Sequence, residues 1–432
     1  MTKYFFAGLL LCMFGPGSAQ ADSVTNYLKA NHLDITSGIR KNSLFDTGFF
    51  RNQYFLFGET HGSAWPQRTD SILFTFLHRQ AGVRHYIAEV DATKAHLLNQ
   101  YLQTGNEEHL RQVFASWVRD TAQWANREHI EKWKELRTIY QQLPKRQKFE
   151  VVGIDVPQDY GLLPAYLRKL VGEKPWKRHQ SLHDSLQQFI DSTPSRARFV
   201  SFCKSLLPVL VKDSAAFQKY LGVSHLPFRH LVTSFTHLNA GLNRDAVMAR
   251  NFQNAVQLFR WQEKKMYGFL GFFHTLQTSY NNNVPFAAWL KQMNMGAVVS
   301  LQMYALDSER ALRYLSGLRA VMPKAYADRM LQQHPSFPND GRYLPYSLSN
   351  DAPMMAVDGI ALLKVASQPN AVTLFKINST NSPFGKSTLL SEIKGIQPVL
   401  RTNKEQTTIN AFQYVILFRN SPAAMPLPAQ RL

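Results

Sequence analysis

Short apolar runs rich in β-branched and aromatic residues recur along the chain, separated by amphipathic stretches. They cover residues 54–57, 85–90, 149–156, 266–273, 297–301, 372–377 and 414–418. Most are continuously apolar rather than alternating, which is typical of strands buried on both faces of a parallel sheet. Residues 70–80 and 128–143, which lie between such runs, have the apolar spacing of helices. The pattern predicts an α/β fold with a mainly parallel central sheet and flanking helices.

The spacing of the runs also predicts how the chain is organised. Residues 157–265 separate the third and fourth predicted strands and have mostly helical apolar spacing. Because a crossover between parallel strands needs only one helix, we expect a large helical insertion within a single α/β domain over residues 22–420. Residues 335–353, rich in Pro, Asn, Asp and Tyr, predict a long surface loop. The proline-containing end, residues 421–432, predicts a flexible tail.

The first residues have the order of a secretory signal peptide. Lys3 precedes an apolar run over residues 4–14, Pro16 follows, and Ala19-Gln20-Ala21 is a small-x-small cleavage signal. We therefore expect cleavage after Ala21 and a periplasmic or secreted protein. The run is shorter than the roughly 20 apolar residues of a membrane span, so no transmembrane helix is expected in the mature chain.

The chain is basic, with a formal net charge of +19 at pH 7. Long-range attraction of this sign favours anionic substrates or an anionic envelope surface. The basic residues are scattered and form no nucleic-acid-binding motif, so no specific nucleic-acid partner is expected. Once residues 1–21 are removed, Cys203 is the remaining cysteine, and its apolar surroundings in sequence favour a buried structural role.

Ionisable residues follow four consecutive predicted strands. The strand ends carry Glu59 and His61, then Glu89 and Asp91, then Asp155, then His274. In open α/β sheets, ligands bind beyond the carboxyl ends of the strands. We therefore expect these groups to meet at one edge of the sheet. Two imidazoles beside carboxylates are suited to acid and base catalysis near neutral pH, and the same residue types can hold a divalent metal ion. The residues alone leave both possibilities open.

Several motifs, taken in order, resemble a known superfamily. They are Gly58-Glu59-Thr60-His61-Gly62, Arg68, Glu89, Asn99-Gln100-Tyr101-Leu102 with Gly105, Gly153-Ile154-Asp155, Arg244-Asp245 with Met248 and Asn251, and His274. This series is similar to the superfamily that joins the erythromycin esterases, the bacterial haem-uptake proteins of the ChaN type and the Tiki proteases. Thr60 alone separates Glu59 from His61, whereas the esterases usually have two residues there. This shorter spacing is more similar to the ChaN and Tiki branches, of which the Tiki proteases are metal-dependent.

The resemblance implies a hydrolase of an ester, lactone or amide bond, acting on a small-molecule or peptide substrate. It implies that His61 activates water and that Glu59, Glu89 and His274 support it. The same four residues would be the ligands if the enzyme uses one divalent metal ion. The implied substrate-binding residues, assigned from these motifs and the strand ends, are Arg68, Asp91, Asp155 and Arg244.

Two other functions remain open at the level of the sequence. The first is a haem- or metal-binding uptake protein of the ChaN type, in which the histidines and a tyrosinate from Tyr54 or Tyr86 hold the iron. The second is a catalytically silent envelope protein that uses its basic helical insertion, around residues 165–180, to bind an anionic partner.

Overall fold

The computed structural model describes residues 16–40, 43–172, 175–193, 195–238, 241–353, 355–395 and 406–429. The apolar run of the predicted signal peptide, residues 4–14, lies outside these ranges, and cleavage after Ala21 stays a prediction. Helix α1, Pro16–Ala30, spans that position, and its Val24 and Leu28 are buried. Within the described residues, no helix has the length and hydropathy that a bilayer span requires.

The strands of the described residues follow the predicted apolar runs and add several short ones. They are β1 His32–Asp34, β2 Tyr54–Glu59, β3 His85–Ala88, β4 Glu150–Gly153, β5 Met266–Gly271, β6 Val298–Leu306, β7 Ser308–Arg313, β8 Tyr343–Leu348, β9 Ala356–Val357, β10 Val372–Lys376, β11 Ile393–Lys394 and β12 Tyr414–Arg419. Eight of them form one sheet in the order β1-β10-β12-β6-β2-β5-β3-β4. All pairings from β12 to β4 are parallel, and β10 and β1 are added antiparallel at the other edge.

Helices cover both faces of this sheet. Those after α1 are α2 Thr47–Phe50, α3 Trp65–Gln80, α4 Ala92–Thr104, α5 Glu107–Arg119, α6 Arg127–Gln142, α7 Leu163–Val171, α8 Gln180–Asp191, α9 Arg196–Lys212, α10 Ser214–Leu221, α11 His225–His237, α12 Arg244–Leu258, α13 Phe286–Gln292, α14 Ser316–Val321, α15 Lys324–Gln333, α16 Ile360–Val365 and α17 Thr408–Ala411. The predicted α/β class with a mainly parallel central sheet is confirmed.

In the described part of the chain between β4 and β5, the structure has six helices, α7 to α12. The last of them is the crossover helix, since Met248 and Phe252 of α12 pack against Leu56 and Ile87 of the sheet. The others have an apolar cluster of their own, which includes Cys203 of α9. Pro208 lies inside α9 without ending it. That these helices are an insertion into one domain stays a prediction.

Two expectations about irregular segments differ from the structure. The predicted loop 335–353 contains β8, which pairs antiparallel with β7. Prolines are tolerated in such a two-stranded ribbon, because each strand has an unpaired edge. The predicted flexible tail is packed over residues 421–429: Ala424 is buried, and its N–H donates to the Gly62 carbonyl at 2.8 Å.

Gly58, in the middle of the parallel sheet, has no room for a side chain. A Cβ placed there would overlap the Thr275 hydroxyl and the Gln302 side-chain carbonyl. We expect Gly58→Ala to lower the free energy of unfolding by about 1–3 kcal/mol, the usual cost of overpacking a core. Urea unfolding followed by circular dichroism measures it. Gly317→Ala is the control, since no atom lies within 4 Å of its Cβ position. An equal effect of both substitutions would contradict the prediction.

Candidate active site

The turn after β2 brings an acid and an imidazole together. Glu59 is the last residue of β2, and residues two apart on an extended chain point to the same side, so His61 lies beside it. The His61 Nδ1 is 2.7 Å from Glu59 Oε1, and Gln67 Nε2 donates to Glu59 Oε2 at 3.3 Å. Glu59 is buried at 5 % exposure, whereas 27 % of the His61 side chain is exposed. The Glu59 carboxylate is thus held in the interior by its bond from Gln67, whereas the His61 imidazole is partly exposed.

Gly62 lets the chain turn sharply after His61. Its φ is +91°, in the left-handed region that favours glycine, and its carbonyl accepts hydrogen bonds from the N–H groups of Ala311 and Ala424. The turn is therefore held by β7 and by the C-terminal segment.

A second group of charges lies beside this pair, at the ends of β3, β4 and β5. Glu89 Oε1 accepts from Arg244 Nη2 at 2.7 Å, and Glu89 Oε2 accepts from the Gly271 N–H at 2.6 Å. Arg244 also binds Asp155 through Nε and Nη2, at 2.9 and 2.6 Å. Asp155 is fully buried, so the guanidinium compensates its charge as well as that of Glu89.

His274, in the 3-10 helix that follows β5, completes the group. Its Nδ1 is 2.7 Å from Asp245 Oδ1, and its Nε2 is 3.5 Å from Glu89 Oε1. Asp245 lies in the first turn of α12 and also accepts the Phe286 N–H at 2.7 Å. Arg244 Nη1 lies 3.4 Å from His274 Nε2. Both imidazoles are therefore held through Nδ1 by a carboxylate, which fixes the orientation of each ring.

The carboxylates make the two histidines more basic. Burial alone would lower the pKa of His61, but the charge and hydrogen bond of Glu59 and the charge of Glu89 outweigh burial and raise that pKa above its ordinary value. For His274, Glu89 and Asp245 likewise outweigh burial and raise the pKa to about 10. Burial would raise the pKa of Glu89, but His274, Arg244 and His61 hold it well below its usual range. At neutral pH, His274 is a cation and Glu89 is an anion.

A cavity of about 430 Å³ opens onto these groups. Glu59, His61, Glu89, Arg244 and His274 line one side of it. The remaining lining includes Trp124, Phe273, Tyr280, Arg310 and Arg313. The Trp124 ring lies 5.1 Å from the His61 ring, centroid to centroid, in an edge-to-face arrangement. Polar groups that converge in a cleft with aromatic walls are typical of a small-molecule site.

Comparison with solved structures places this geometry in a known fold. A Bacillus cereus protein matches with a TM-score of 0.64 at 13% identity, covering 94% of this chain and 99% of the other. A succinoglycan biosynthesis protein matches with a TM-score of 0.61 at 14% identity, over 95% and 99% of the two chains. A mutant of erythromycin esterase EreC in its open conformation matches with a TM-score of 0.60 at 11% identity, over 91% and 98%. The chain has the erythromycin esterase-like fold.

The resemblance seen in the sequence is thus confirmed for the erythromycin esterase-like fold. No family model and no curated protein matches the sequence. The haem-bound ChaN of Campylobacter jejuni matches over 63% of this chain with a TM-score of 0.29, which is too low to carry an argument.

Within the erythromycin esterase-like fold, the predicted site residues divide into two groups. Those that meet at the cavity or directly behind it are Glu59, His61, Glu89, Asp155, Arg244 and His274. Asp91 instead caps α4, because its carboxylate accepts the N–H groups of Thr93 and Lys94. Arg68 lies exposed on α3 and is not part of the cavity lining. The structure does not bring these two to the other site residues.

Other residues in and behind the cavity wall were not assigned a role from the sequence. Asp245 belongs to the quoted Arg244-Asp245 motif, and its place at the start of a helix was the available signal. Arg310 and Arg313 lie on β7, a strand that the apolar pattern did not predict. Trp124 lies in the turn between α5 and α6, where no local pattern indicates a site.

The four predicted metal ligands do not form a metal site in their present arrangement. No group of His, Cys, Asp and Glu side chains suited to a metal ion occurs among the residues that the structure describes. Both oxygens of Glu89 accept hydrogen bonds from Arg244 and Gly271, and Glu59 Oε1 is bound to His61. The carboxylate oxygens that a metal would need are therefore engaged with protein partners.

The tyrosines of the haem interpretation are also engaged. The Tyr54 hydroxyl donates to the Met295 carbonyl at 3.2 Å, and the Tyr86 hydroxyl donates to Asp70 at 2.5 Å. Burial raises the pKa of Tyr54 to about 12 and also raises the pKa of Tyr86, where Asp70 adds to the effect. Neither tyrosine lines the cavity that opens onto His61 and His274. These hydroxyls do not fit the role of iron-binding tyrosinates.

Proposed function

We propose that this protein is a hydrolase of an ester, lactone or amide bond in a small-molecule substrate, and that His61 is its general base. The observation that carries the proposal is the His61–Glu59 pair, 2.7 Å apart at the wall of a cavity. When Nδ1–H donates to Glu59, the lone pair of neutral His61 is on Nε2. A water molecule hydrogen-bonded to Nε2 could transfer a proton to it while attacking the substrate carbonyl.

The neighbouring cations would stabilise the charge that develops in that attack. His274, with a pKa of about 10, is protonated at neutral pH. Its ring and the Arg244 guanidinium line the same cavity as His61. Fixed cations aimed at a developing oxyanion are among the strongest contributors to catalysis. The carbon–oxygen or carbon–nitrogen bond then breaks, and the His61 imidazolium returns its proton to the leaving group.

Gly271 leaves the space that this chemistry requires. Its missing Cβ would lie 3.2 Å from His61 Nε2 and 3.4 Å from Glu89 Oε2. A side chain here would crowd the nitrogen that is to bind water, so the absence of one supports the assignment of Nε2 as the reactive atom.

Acid release in a pH-stat tests the proposal without knowledge of the natural substrate. A panel of alkyl esters, aryl esters and lactones is exposed to the purified protein, with and without a chelator. Enzyme-dependent acid release from at least one member supports the proposal. Release from none of them would count against it, and release abolished by the chelator would instead support the metal-dependent alternative.

Glu59→Gln should shift the pH dependence of that activity. His61 must be neutral to accept a proton, so kcat/KM rises with pH through the pKa of His61, which Glu59 raises. Removing the negative charge lowers this pKa, and the acid limb moves to lower pH. The plateau rate falls, because a less basic imidazole accepts the proton less readily.

The control for this prediction is Glu108→Gln. Glu108 is also bonded to a basic side chain, Arg111, but it lies on α5 outside the cavity, with 42% of its side chain exposed. An acid limb that stays in place in Glu59→Gln would show that His61 is not the group whose ionisation limits the rate.

The cellular site and other partners are proposed from the sequence alone. Lys3, the apolar run and Ala19-Gln20-Ala21 support export to the periplasm or beyond. The net charge of +19 supports contact with an anionic envelope surface.

A further inference from the structure

The β7–β8 ribbon contributes Arg310 and Arg313, both on β7, to the wall of the cavity. It is attached to the turn that carries His61, since the Ala311 N–H donates to the Gly62 carbonyl at 2.7 Å. Gln123 Nε2 donates to the Ala311 carbonyl at 2.8 Å from the other side. A group on this ribbon is therefore held at a defined position relative to His61.

Arg310 of this ribbon is a cation without a matching anion. It lines the cavity, and its Nε is buried with no hydrogen-bond partner. It forms no ion pair with any carboxylate of the described residues, and its cross-strand neighbour is Tyr346. A buried donor with no partner is costly, and the cost is larger for a charged group. Because Arg310 lines the cavity, a ligand bound there can supply the missing acceptor.

Arg244, another arginine of the cavity, is fully paired by comparison. Its Nε and Nη2 are bound to Asp155 and Glu89. The two carboxylates that line the cavity, Glu59 and Glu89, are thus already bonded to His61 and Arg244. Arg310 and Arg313 therefore add positive charge that no cavity carboxylate offsets, and they leave the cavity attractive to anions.

The mouth of the cavity also offers an apolar surface. Phe273 is 45% exposed, and its ring stacks on Tyr280 with the centroids 5.3 Å apart. A ligand that reaches from this aromatic surface to Arg310 has an apolar body and an anionic group.

We propose that the substrate has a carboxylate or phosphate group, and that Arg310, assisted by Arg313, binds this anion while the scissile carbonyl lies at His61. This inference rests on the hydrolase function proposed above and adds the substrate class. The planar guanidinium of arginine suits both anions, because its parallel N–H donors match two oxygens of either group.

Matched esters test the inference. They are p-nitrophenyl hexanoate, the mono-p-nitrophenyl ester of adipic acid, and the p-nitrophenyl ester of a phosphorylated hydroxyhexanoic acid, which share a leaving group and acyl length. We expect kcat/KM for at least one anionic ester to exceed that for the neutral ester by about 10- to 100-fold, the range of one charged hydrogen bond. Which anionic ester is preferred distinguishes carboxylate from phosphate.

Arg310→Met should remove this preference, because kcat/KM for the anionic ester falls toward that for the neutral ester once the guanidinium is gone. Arg310→Lys keeps the charge but not the planar donors, and should retain part of the preference. Arg329→Met on α15 is the control, because that arginine is exposed and outside the cavity lining. Equal kcat/KM values for all three esters in the wild type, or a preference that survives in Arg310→Met, would overturn the inference.

A binding measurement distinguishes failure of the hydrolase proposal from failure of the proposed anion site at Arg310. Adipic acid monoamide and hexanamide are titrated calorimetrically into wild type and Arg310→Met, with circular dichroism as the check on folding. If no ester is hydrolysed, the hydrolase proposal fails. Monoamide binding that is lost in Arg310→Met would still support the anion site, and the absence of such binding in the wild type would overturn it.

Discussion

His61→Ala is expected to lower the rate of hydrolysis by about 10²- to 10⁴-fold, the contribution of a positioned general base. The substitution removes the Nε2 atom that accepts the proton of water, while Glu59 and the cations around Glu89 stay in place. Because 27 % of the His61 side chain is exposed and it lies in a turn rather than in a strand, the fold should survive. Single-turnover kinetics with the fastest ester of the panel measure the loss.

His32→Ala is the matched control for this experiment. His32 is exposed and lies in β1 at the edge of the sheet, with its ring 6.1 Å from that of Phe375. Its replacement should leave the rate unchanged. Full activity of His61→Ala, with an unchanged far-UV spectrum and melting temperature, would show that another group activates the water.

Arg244→Ala is expected to have the largest effect on stability. It leaves Asp155, whose side chain has no solvent exposure, and Glu89 without their compensating cation. Removing one partner of a buried ion pair costs about 3–5 kcal/mol. We expect a loss toward the lower end of that range, because 38% of the Arg244 side chain is exposed and solvent screens part of the interaction. Urea unfolding measures the change.

A second substitution tests whether the uncompensated charge of Asp155 causes the loss of stability in Arg244→Ala. In Arg244→Ala/Asp155→Asn, the buried carboxylate is replaced by a neutral amide of nearly the same shape, so part of the lost free energy of unfolding should return. Asp155→Asn alone should be destabilising, since it breaks the pair in the wild type. A double variant as unstable as the sum of the two single variants would indicate that packing, rather than charge, explains the loss.

Most of the central sheet could be predicted from the sequence, because its inner strands are buried on both faces. Continuous apolar runs such as 54–57 and 266–273 have few other interpretations in a chain of this size. The direction of a strand leaves no such mark: residues 372–376 are as apolar as their neighbours, yet β10 runs antiparallel. The β7–β8 ribbon was missed because Glu309, Arg310 and Arg313 interrupt any apolar pattern in β7.

The gathering of charges at one sheet edge could also be anticipated, since parallel strands end on the same side. The sequence could not distinguish the roles of carboxylates that follow the same strand. Glu89 and Asp91 both come after β3, but Glu89 turns toward Arg244, whereas Asp91 caps α4. Arg310 could not be found at all, because its importance comes from a buried Nε that has no partner among the described residues of the folded chain.

The central claim is that water activated by His61 attacks the substrate directly. A single turnover in water enriched in the heavy oxygen isotope, with enzyme in excess over ester, tests it by mass spectrometry of the released acid and the enzyme. The account predicts one heavy oxygen in the acid formed in that first turnover and none in the protein. An unlabelled acid, with heavy oxygen in Glu59 or Glu89, would show that a carboxylate of the enzyme is the nucleophile and would contradict the account.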